Sequence, residues 1–532
     1  MNQLTILQIN VDKGATQHEI ALSSAYNEQI DVVLIQEPYI SRDLPRRITK
    51  RHPSFNCFTP IDDWADSQPR VLTYVRKGAG LRTTQIRPDM LEQSALPDLI
   101  FLQIQAPSGQ PLLILNVYNA PPGSIRPGLA AQALTSLPPA FLSQPLFLAG
   151  DLNLLHRSWQ PSLERGQTAF ADPFVAWLDE SQLVFISEVD RPTHDKGNVL
   201  DLTFSSATIA LEGAKTVVVP HLDVTSDHRP LLTCIPWDQR FAEPARKLRF
   251  DTLDQPLFLS LLAANCSGLA PPADTEASLD SCASRLVSSI HQAYAGAARR
   301  SLGSGIGQPW WNTECNQARL IYRAGECTKR SFRSVVRRAQ RGFWRDKLDQ
   351  ASKAKDVFDM TKWHKSTGSY HSPPLKDPQH PDRPPATTPL AKQTVLINNL
   401  LQNTAEAGDI PMDCPTAPTA ALPFLEVTEL SLQQAILQAG NTAPGIDEIP
   451  TCVLKVAWPL IKDLVLQLFQ GCLRLGYHPK CFRQAVLAII QKPKKDDRSS
   501  PRSYRPIALL SVLGQGTRTP NRPPIVMDSC DP

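Results

Sequence analysis

The chain has 532 residues, 42% of them hydrophobic, and a formal net charge of +4 at pH 7, which is an ordinary soluble composition and a charge too small to name a partner. One hydrophobic core does not organise that length, so two or three domains joined by linkers are expected. Eleven cysteines without a C-x-x-C pair exclude a disulfide framework and a zinc knuckle and suit a reducing, intracellular setting, and no apolar run approaches the roughly 20 residues of a membrane span, so no membrane partner is expected.

Residues 1–237 alternate short β-branched and Leu-rich runs with stretches that have room for helices. The runs include "LTILQINV", "DVVLIQEP", "LIFLQIQAP", "PLLILNVYNAPP", "PLFLAGDLN", "VLDLTFSS" and "PLLTCIPW". Several are uniformly apolar, as strands covered on both faces are, and the pattern predicts one α/β domain of sheets layered with helices. No internal repeat is visible.

Strand after strand in this domain ends in a residue able to bind a metal ion or a phosphate. Asn10 follows "LTILQI", Glu37 follows "DVVLIQ", Tyr118 and Asn119 follow "LNV", and Asp151 and Asn153 follow "FLAG". Asp201 lies in "NVLDLTF", and Asp227 and His228 precede the run "RPLLTCI". If these strands share one core, the polar residues collect along one rim. That rim suits metal-assisted phosphodiester hydrolysis: carboxylates hold a hard cation, and Asp151 beside Asn153 offers a base for the attacking water. His228 offers a donor to the phosphate oxygens if a carboxylate, with Asp201 the candidate, holds its ring. Taken singly, Asp and Asn after a strand are common turn and cap residues, and a lone Asp–His pair is usually incidental. The ordered set is the stronger signal.

The motifs "LQIN" (7–10), "IQEP" (35–38), "NVYNAPP" (116–122), "LAGDLN" (148–153), "RPTH" (191–194), "NVLDLTF" (198–204) and "SDHRP" (226–230) carry a resemblance. The stretch from about 4 to 237 resembles the endonuclease/exonuclease/phosphatase superfamily, specifically the apurinic-endonuclease-like domain of LINE-type non-LTR retrotransposons. The resemblance implies a four-layered α/β sandwich and a Mg²⁺ cofactor, with Mn²⁺ as an alternative and no small-molecule cofactor. It implies Glu37, Asn10 and Asp227 at the metal, and Asp151 on the nucleophilic water with Asn153 orienting it. It further implies Tyr118 at the scissile phosphate, His228 paired with Asp201, and Thr193 near DNA-contacting loops. A DNA target, and with it a nuclear place of action, is the expectation, with the element's RNA as a further partner.

From 238 to 370 the pattern becomes helical, and from Arg299 to Lys365 there are 16 Lys and Arg against six Asp and Glu. Phe332, Val335, Val336, Ala339, Phe343 and Trp344 recur at helical spacing, with Arg333, Arg337, Arg338, Arg341 and Arg345 around them. Arg333, Arg337, Arg338 and Arg341 are therefore candidate DNA-binding residues, against the alternative of a charged face packed on its own domain. "GQPWWNTECNQARLIYR" (307–323) resembles the segment that such elements carry between nuclease and polymerase.

A Pro-rich stretch opens a linker over 371–423. The segment 424–515, apolar and mostly helical in pattern, contains "NTAPGIDEIP" and "SYRPIALLSVLGQ", which resemble the opening, finger-side motifs of LINE-type reverse transcriptases. A polymerase needs palm carboxylates. After Pro506 only Asp528 and Asp531 remain, in a tail over 516–532 without element patterning, and the adjacent pairs Asp62–Asp63 and Asp496–Asp497 precede the motif. An incomplete reverse-transcriptase fingers segment without DNA synthesis is expected. The leading expectation is thus a Mg²⁺-dependent endonuclease that nicks target DNA to prime reverse transcription. A non-catalytic nucleic-acid-binding remnant and a phosphoesterase with a non-DNA substrate are the alternatives.

Overall fold

In β1 (Gln3–Asn10), Leu4 and Ile6 face one side and Leu7 and Ile9 the other, and all four are fully buried. A strand apolar on both faces has to be covered on both, and this requirement organises the domain. The computed structural model describes residues 3–41, 48–60, 68–86, 88, 97–106, 110–164, 166–237, 240–241, 247–300, 307–351, 374–386, 389–401, 427–437, 440–441, 443–492, 495 and 497–514.

After β1 come α1 (Ala15–Asn27), β2 (Val32–Gln36), β3 (Phe55–Phe58), β4 (Val71–Arg76), β5 (Arg82–Ile86), β6 (Leu99–Gln105) and β7 (Leu112–Tyr118). Then follow α2 (Leu129–Thr135), α3 (Pro139–Leu142), β8 (Leu146–Asp151), α4 (Ala171–Glu180), β9 (Leu183–Phe185), β10 (Asp201–Ser206), α5 (Ala207–Leu211), β11 (Lys215–Val218) and β12 (Leu231–Pro236). These strands form two six-stranded sheets, ordered β11-β12-β1-β2-β4-β3 and β5-β6-β7-β8-β10-β9. Each sheet has one parallel pair, β1 with β2 and β7 with β8. A parallel pair needs a crossover, which α1 supplies in the first sheet and the α2–α3 segment in the second.

Ile6, Val32 and Leu34 of one sheet meet Ile100, Ile114 and Phe147 of the other in the central layer. On the outer face of the first sheet, Leu7, Ile9, Val33 and Ile35 pack with Ile20 and Ala21 of α1. On the outer face of the second, Leu113, Leu115, Leu148 and Phe204 pack with Leu134 of α2 and Phe174 and Trp177 of α4. The order helix, sheet, sheet, helix is the expected four-layered α/β sandwich.

The helices that follow are α6 (Gln255–Cys266), α7 (Glu276–Ala297), α8 (Thr313–Arg323) and α9 (Lys329–Asp349), with N-caps Asp254, Thr275, Asn312 and Thr328 whose side chains accept backbone N–H bonds. The chain divides into two compact units, one of 1–243, 303–376 and 380–393, the other of 244–302, 377–379 and 394–532. The connector expected over 238–370 is therefore not one piece. Its later helices join the first unit, because Trp310, Cys315, Ala318, Phe332 and Val336 bury themselves in the layer of β1 and α1. Its earlier helices join the second unit, where Phe258, Leu262, Leu286 and Ile290 pack on Val453, Ile461 and Leu468 of the helix Thr451–Leu475. These helices bury the apolar residues of the last segment.

A helix, Pro389–Leu400, begins inside the stretch expected to be linker, while 402–423 lie outside the described residues. So do the tail 516–532 with Asp528 and Asp531, the pair Asp62–Asp63, and Asp496. The last segment is not only helical: β13 (Ala485–Gln491) and β14 (Tyr504–Leu510) pair antiparallel, with "YRPI" on the second strand. Pro506 is tolerated there because a two-stranded ribbon leaves one edge of each strand unpaired. No helix among the described residues is long and apolar enough to cross a membrane.

Candidate active site

Strand parity explains the site. Along β1 the inter-sheet face reads Leu4, Ile6, Gln8, Asn10; along β7 it reads Leu112, Ile114, Asn116, Tyr118; along β8, Phe147, Ala149, Asp151. Each strand is apolar toward one end of the sandwich and polar toward the other. The polar ends are the carboxyl ends of the parallel strands, where α/β sheets bind their ligands.

Register then fixes which side chains meet. Asp151 pairs with Tyr118 across β7 and β8 and with Asp201 across β8 and β10. Gly150 lies opposite Val117, and a Cβ there would stand 1.9 Å from the Val117 carbonyl oxygen, so only glycine lets the two strands come this close.

Asp151 is 2% exposed; its Oδ2 accepts a 2.9 Å hydrogen bond from Asn10 Nδ2 and lies 3.9 Å from His228 Nε2. Its Oδ1 is buried and has no hydrogen-bond partner among the described residues. On the other side of the imidazole, His228 Nδ1 lies 2.7 Å from Asp201 Oδ2. Burial, and after it the neighbouring Asp201 carboxylate, pushes Asp151 up to about 7, against the pull of His228 and the Asn10 amide. Burial acts to lower His228, but Asp201 first, then Asp151 and Asp227, outweighs it and raises the ring to about 10. A charged imidazolium between two carboxylates results.

Glu37 stands at φ +44°, in the left-handed region that few non-glycine residues adopt. Its Oε1 lies 3.1 Å from Arg70 Nη2 and 3.2 Å from Lys13 Nζ, and the Arg70 guanidinium covers the Tyr118 ring at 4.1 Å. Burial and the nearby Glu37 raise the Tyr118 hydroxyl well above its ordinary range, so it stays protonated. Asn153, also left-handed at φ +49°, donates from Nδ2 to the Asn119 carbonyl at 3.0 Å. The structure thus brings Asn10, Asp151, Asp201 and His228 into direct contact and puts Glu37, Tyr118 and Asn153 on the same rim.

Asp227 sits farther out, its side chain half exposed, with Oδ2 3.4 Å from His194 Nε2. Thr193 is not a surface DNA contact: it is 2% exposed, and its hydroxyl accepts the backbone N–H groups of Leu200 and Asp201, both at 3.0 Å. It holds the start of β10 and so the position of Asp201. Arg333 is spent on Thr225, donating to its hydroxyl and its carbonyl, and Arg338 pairs with Glu314. Arg337 and Arg341 are exposed, each giving Nε to the carbonyl four residues earlier. The apolar side of α9 is packed on its own domain through Phe332 and Val336, while Arg337 and Arg341 leave part of its charged face exposed.

Sequence reasoning missed several participants. Asp12, whose N–H donates to Asn10 Oδ1 at 2.9 Å, is raised by burial and then by Asp227 and Glu37. Gln36 Nε2 donates to Asn116 Oδ1 at 2.6 Å in the polar layer beneath the rim, and Asn116 Nδ2 in turn donates to the Leu72 carbonyl at 2.9 Å. Gln8, Gln36 and Asn116 share strand parity with the apolar core, a signal that was present in the sequence; His194 closes the motif "RPTH" without a role having been given to it, and Arg70 carried no signal.

Two sets of three among the described residues have ligand atoms close enough to hold an ion: Asp151, Asp201 and His228, and His194, Asp227 and His228. The unpartnered Asp151 Oδ1, with Asn10 and Glu37 adding oxygen donors on the same rim, fits a divalent cation.

Residues 112–232 match the family described as Endonuclease-reverse transcriptase (Exo_endo_phos_2). Over 106 residues the chain is 40% identical to a putative 115 kDa protein in the type-1 retrotransposable element R1DM of Drosophila melanogaster, covering 19% of this chain and 10% of that protein. Over 327 residues it is 27% identical to a probable RNA-directed DNA polymerase from transposon BS of the same organism, covering 55% of this chain and 35% of that one. The chain thus spans about a third or less of the length of these relatives. Among solved structures it is similar to the endonuclease domain of TRAS1, a telomere-specific non-LTR retrotransposon, at 19% identity and a TM-score of 0.35, covering 44% of this chain and 99% of that one. The family match spans Tyr118, Asp151, Asp201 and His228, so in its N-terminal domain the chain is similar to endonuclease–reverse transcriptase proteins of retrotransposable elements.

Proposed function

We propose that this chain nicks DNA by Mg²⁺-dependent phosphodiester hydrolysis, leaving a 3′-hydroxyl from which the element's reverse transcription is primed. The observation that carries the reading is the Asp151 carboxylate, buried, held by Asn10, facing His228, and with one oxygen unpartnered. Asp151 takes the proton of the attacking water; a base whose pKa lies near 7 is matched to that task. As the water oxygen bonds to phosphorus the P–O3′ bond breaks, and the departing 3′-oxygen is protonated. His228, kept charged by Asp201, donates to a non-bridging oxygen as charge grows there. Tyr118 supplies a second donor to the phosphate, and Asn153 orients the water.

Glu37, Asn10 and the outer Asp227 would hold Mg²⁺, a cation that prefers oxygen ligands, with Mn²⁺ able to replace it. When bound it neutralises charge on the phosphate and the leaving oxygen. A DNA target makes the nucleus the place of action, and the exposed Arg337 and Arg341 would contact phosphates of DNA or of the element's RNA.

The test is relaxation of supercoiled plasmid with Mg²⁺, comparing the wild type with Asp151→Ala and His228→Ala. Nicking that both substitutions abolish is expected; undiminished nicking in both would sink the assignment. A non-catalytic remnant would instead bind DNA with strong salt dependence and cleave nothing.

A further inference from the structure

The loop that delivers Asp227 and His228 contains a residue in an unfavourable conformation. Thr225 has φ +72°, and a β-branched residue there is a steric outlier that surrounding structure must enforce. Thr225 is also 1% exposed, so the enforcing groups are protein groups.

They come from α8 and α9. Arg333 Nε donates to Thr225 Oγ1 at 2.6 Å, and a second nitrogen of the same guanidinium donates to the Thr225 carbonyl. Asp223 closes the other side: its Oδ1 accepts the Thr225 N–H at 2.7 Å, and its Oδ2 accepts the Tyr322 hydroxyl at 2.6 Å. Tyr322 stacks on Phe332 at 5.3 Å, so the two helices grip the loop as one body. At the next residue Lys329 Nζ donates to the Ser226 carbonyl at 2.6 Å and lies 3.1 Å from Asp195 Oδ2.

The restraint passes directly to the site. Ser226 Oγ donates to Asp227 Oδ1 and accepts the His228 N–H, both at 3.3 Å, and the Asp195 N–H donates to the Asp227 carbonyl at 2.8 Å. Only two residues separate Thr225 from His228.

We infer that Arg333 is a positioning residue for the nuclease, clamping Thr225 in its left-handed conformation so that Asp227 and His228 meet the substrate in register. The helical hairpin α8–α9, outside the family-matched residues 112–232, is on this reading part of the catalytic apparatus rather than a tether. The charge of Arg333 acts on the loop, not on the nucleic acid. The inference rests on the proposed nuclease reading for its activity readout, and loop exchange gives a readout independent of it.

The experiment uses the full chain with Arg333→Ala, Thr225→Gly and the double substitution. Arg333→Ala is expected to lower kcat for plasmid nicking by about 100-fold, the scale of a small misplacement at a reacting group, with KM and the salt dependence of binding unchanged. Because glycine adopts the left-handed region without strain, Thr225→Gly in the Arg333→Ala background is expected to recover most of that loss. In parallel, amide exchange of residues 222–229 should rise in Arg333→Ala while exchange in β1 and β8 stays the same. If the loss falls on KM and the salt dependence and glycine does not rescue it, Arg333 contacts the nucleic acid and the inference is overturned. Unchanged loop exchange in Arg333→Ala overturns it as well. A wild type that does not nick would refute the nuclease reading alone, leaving the exchange result to decide the clamp.

Discussion

Replacing Asp201 by Asn probes the charge that the fold maintains on His228. Asn keeps the size of the side chain and its acceptor oxygen but removes the anion 2.7 Å from Nδ1. The rise of His228 from 6.5 to about 10 corresponds to about 5 kcal/mol of preference for the charged ring. Three carboxylates share it, and a hydrogen bond to a charged group contributes about 1.5–3 kcal/mol. At about 1.4 kcal/mol per decade of rate, Asp201→Asn should lower kcat by roughly 10- to 100-fold. The sign with pH follows from a donor that must be protonated. In the wild type the ring stays charged below about 10, so this group sets no limit between pH 7 and 9. In Asp201→Asn the ring's pKa falls, and activity should decline as pH rises through that lower value. Single-turnover plasmid nicking with Mg²⁺ from pH 6.5 to 9, beside thermal unfolding of both proteins, measures the effect. A variant within twofold of wild type at every pH, with the same profile, would refute the role given to the Asp201–His228 pair.

Gly150→Ala should destabilise the first unit by about 3 kcal/mol, because the new methyl meets a backbone oxygen that cannot move aside; a lower urea midpoint with unchanged m-value checks it. His18 is buried between the Tyr39 N–H and the Tyr74 hydroxyl, and burial, with Lys50 nearby, lowers it to about 3. Its folded pKa lies below the unfolded value, so its contribution is fully present above 6.5 and is lost as pH falls toward 3, at about 1.4 kcal/mol per pH unit; His18→Gln should flatten that part of the acid-unfolding curve. Arg337→Ala with Arg341→Ala should weaken DNA binding and reduce the slope of log K against log salt by about 1.8, two phosphate contacts' worth, with little change in kcat; an unchanged slope would remove α9 from the nucleic-acid surface.

Much of the site was legible one strand at a time. "LTILQIN" and "PLFLAGD" each carry a polar residue where a buried run ends, and their order along the chain pointed to a single rim. The deeper layer was legible too, since Gln8 and Asn116 share strand parity with Ile6 and Ile114. Both amides lie inside motifs, "LQIN" and "NVYNAPP", but nothing in the sequence pairs them with a partner on another strand. Arg70 gave no signal, because its partners, Glu37 and the Tyr118 ring, are 33 and 48 positions away in the sequence and are brought near by sheet order. Arg333 and Thr193 have contacts inside the fold that their stretches of sequence did not disclose, for a related reason. A guanidinium or hydroxyl in a polar stretch looks available until the structure shows it bonded to a backbone or side chain inside the fold.

Sequence alone determined the local chemistry: which runs are covered on both faces, where acids and amides end them, which helix carries an apolar stripe, and hence that the first domain is a layered α/β fold with polar residues at its strand ends. These are properties of period and residue type, which neighbours along the chain define. Tertiary structure alone decided that His228 is hydrogen-bonded to Asp201 and faces Asp151 at 3.9 Å, that the expected connector splits between two units, and that α9 spends Arg333 on the loop of His228. Those outcomes depend on register between strands and on which of several apolar surfaces a helix buries. Both are settled by packing between segments distant in sequence, which no local pattern encodes.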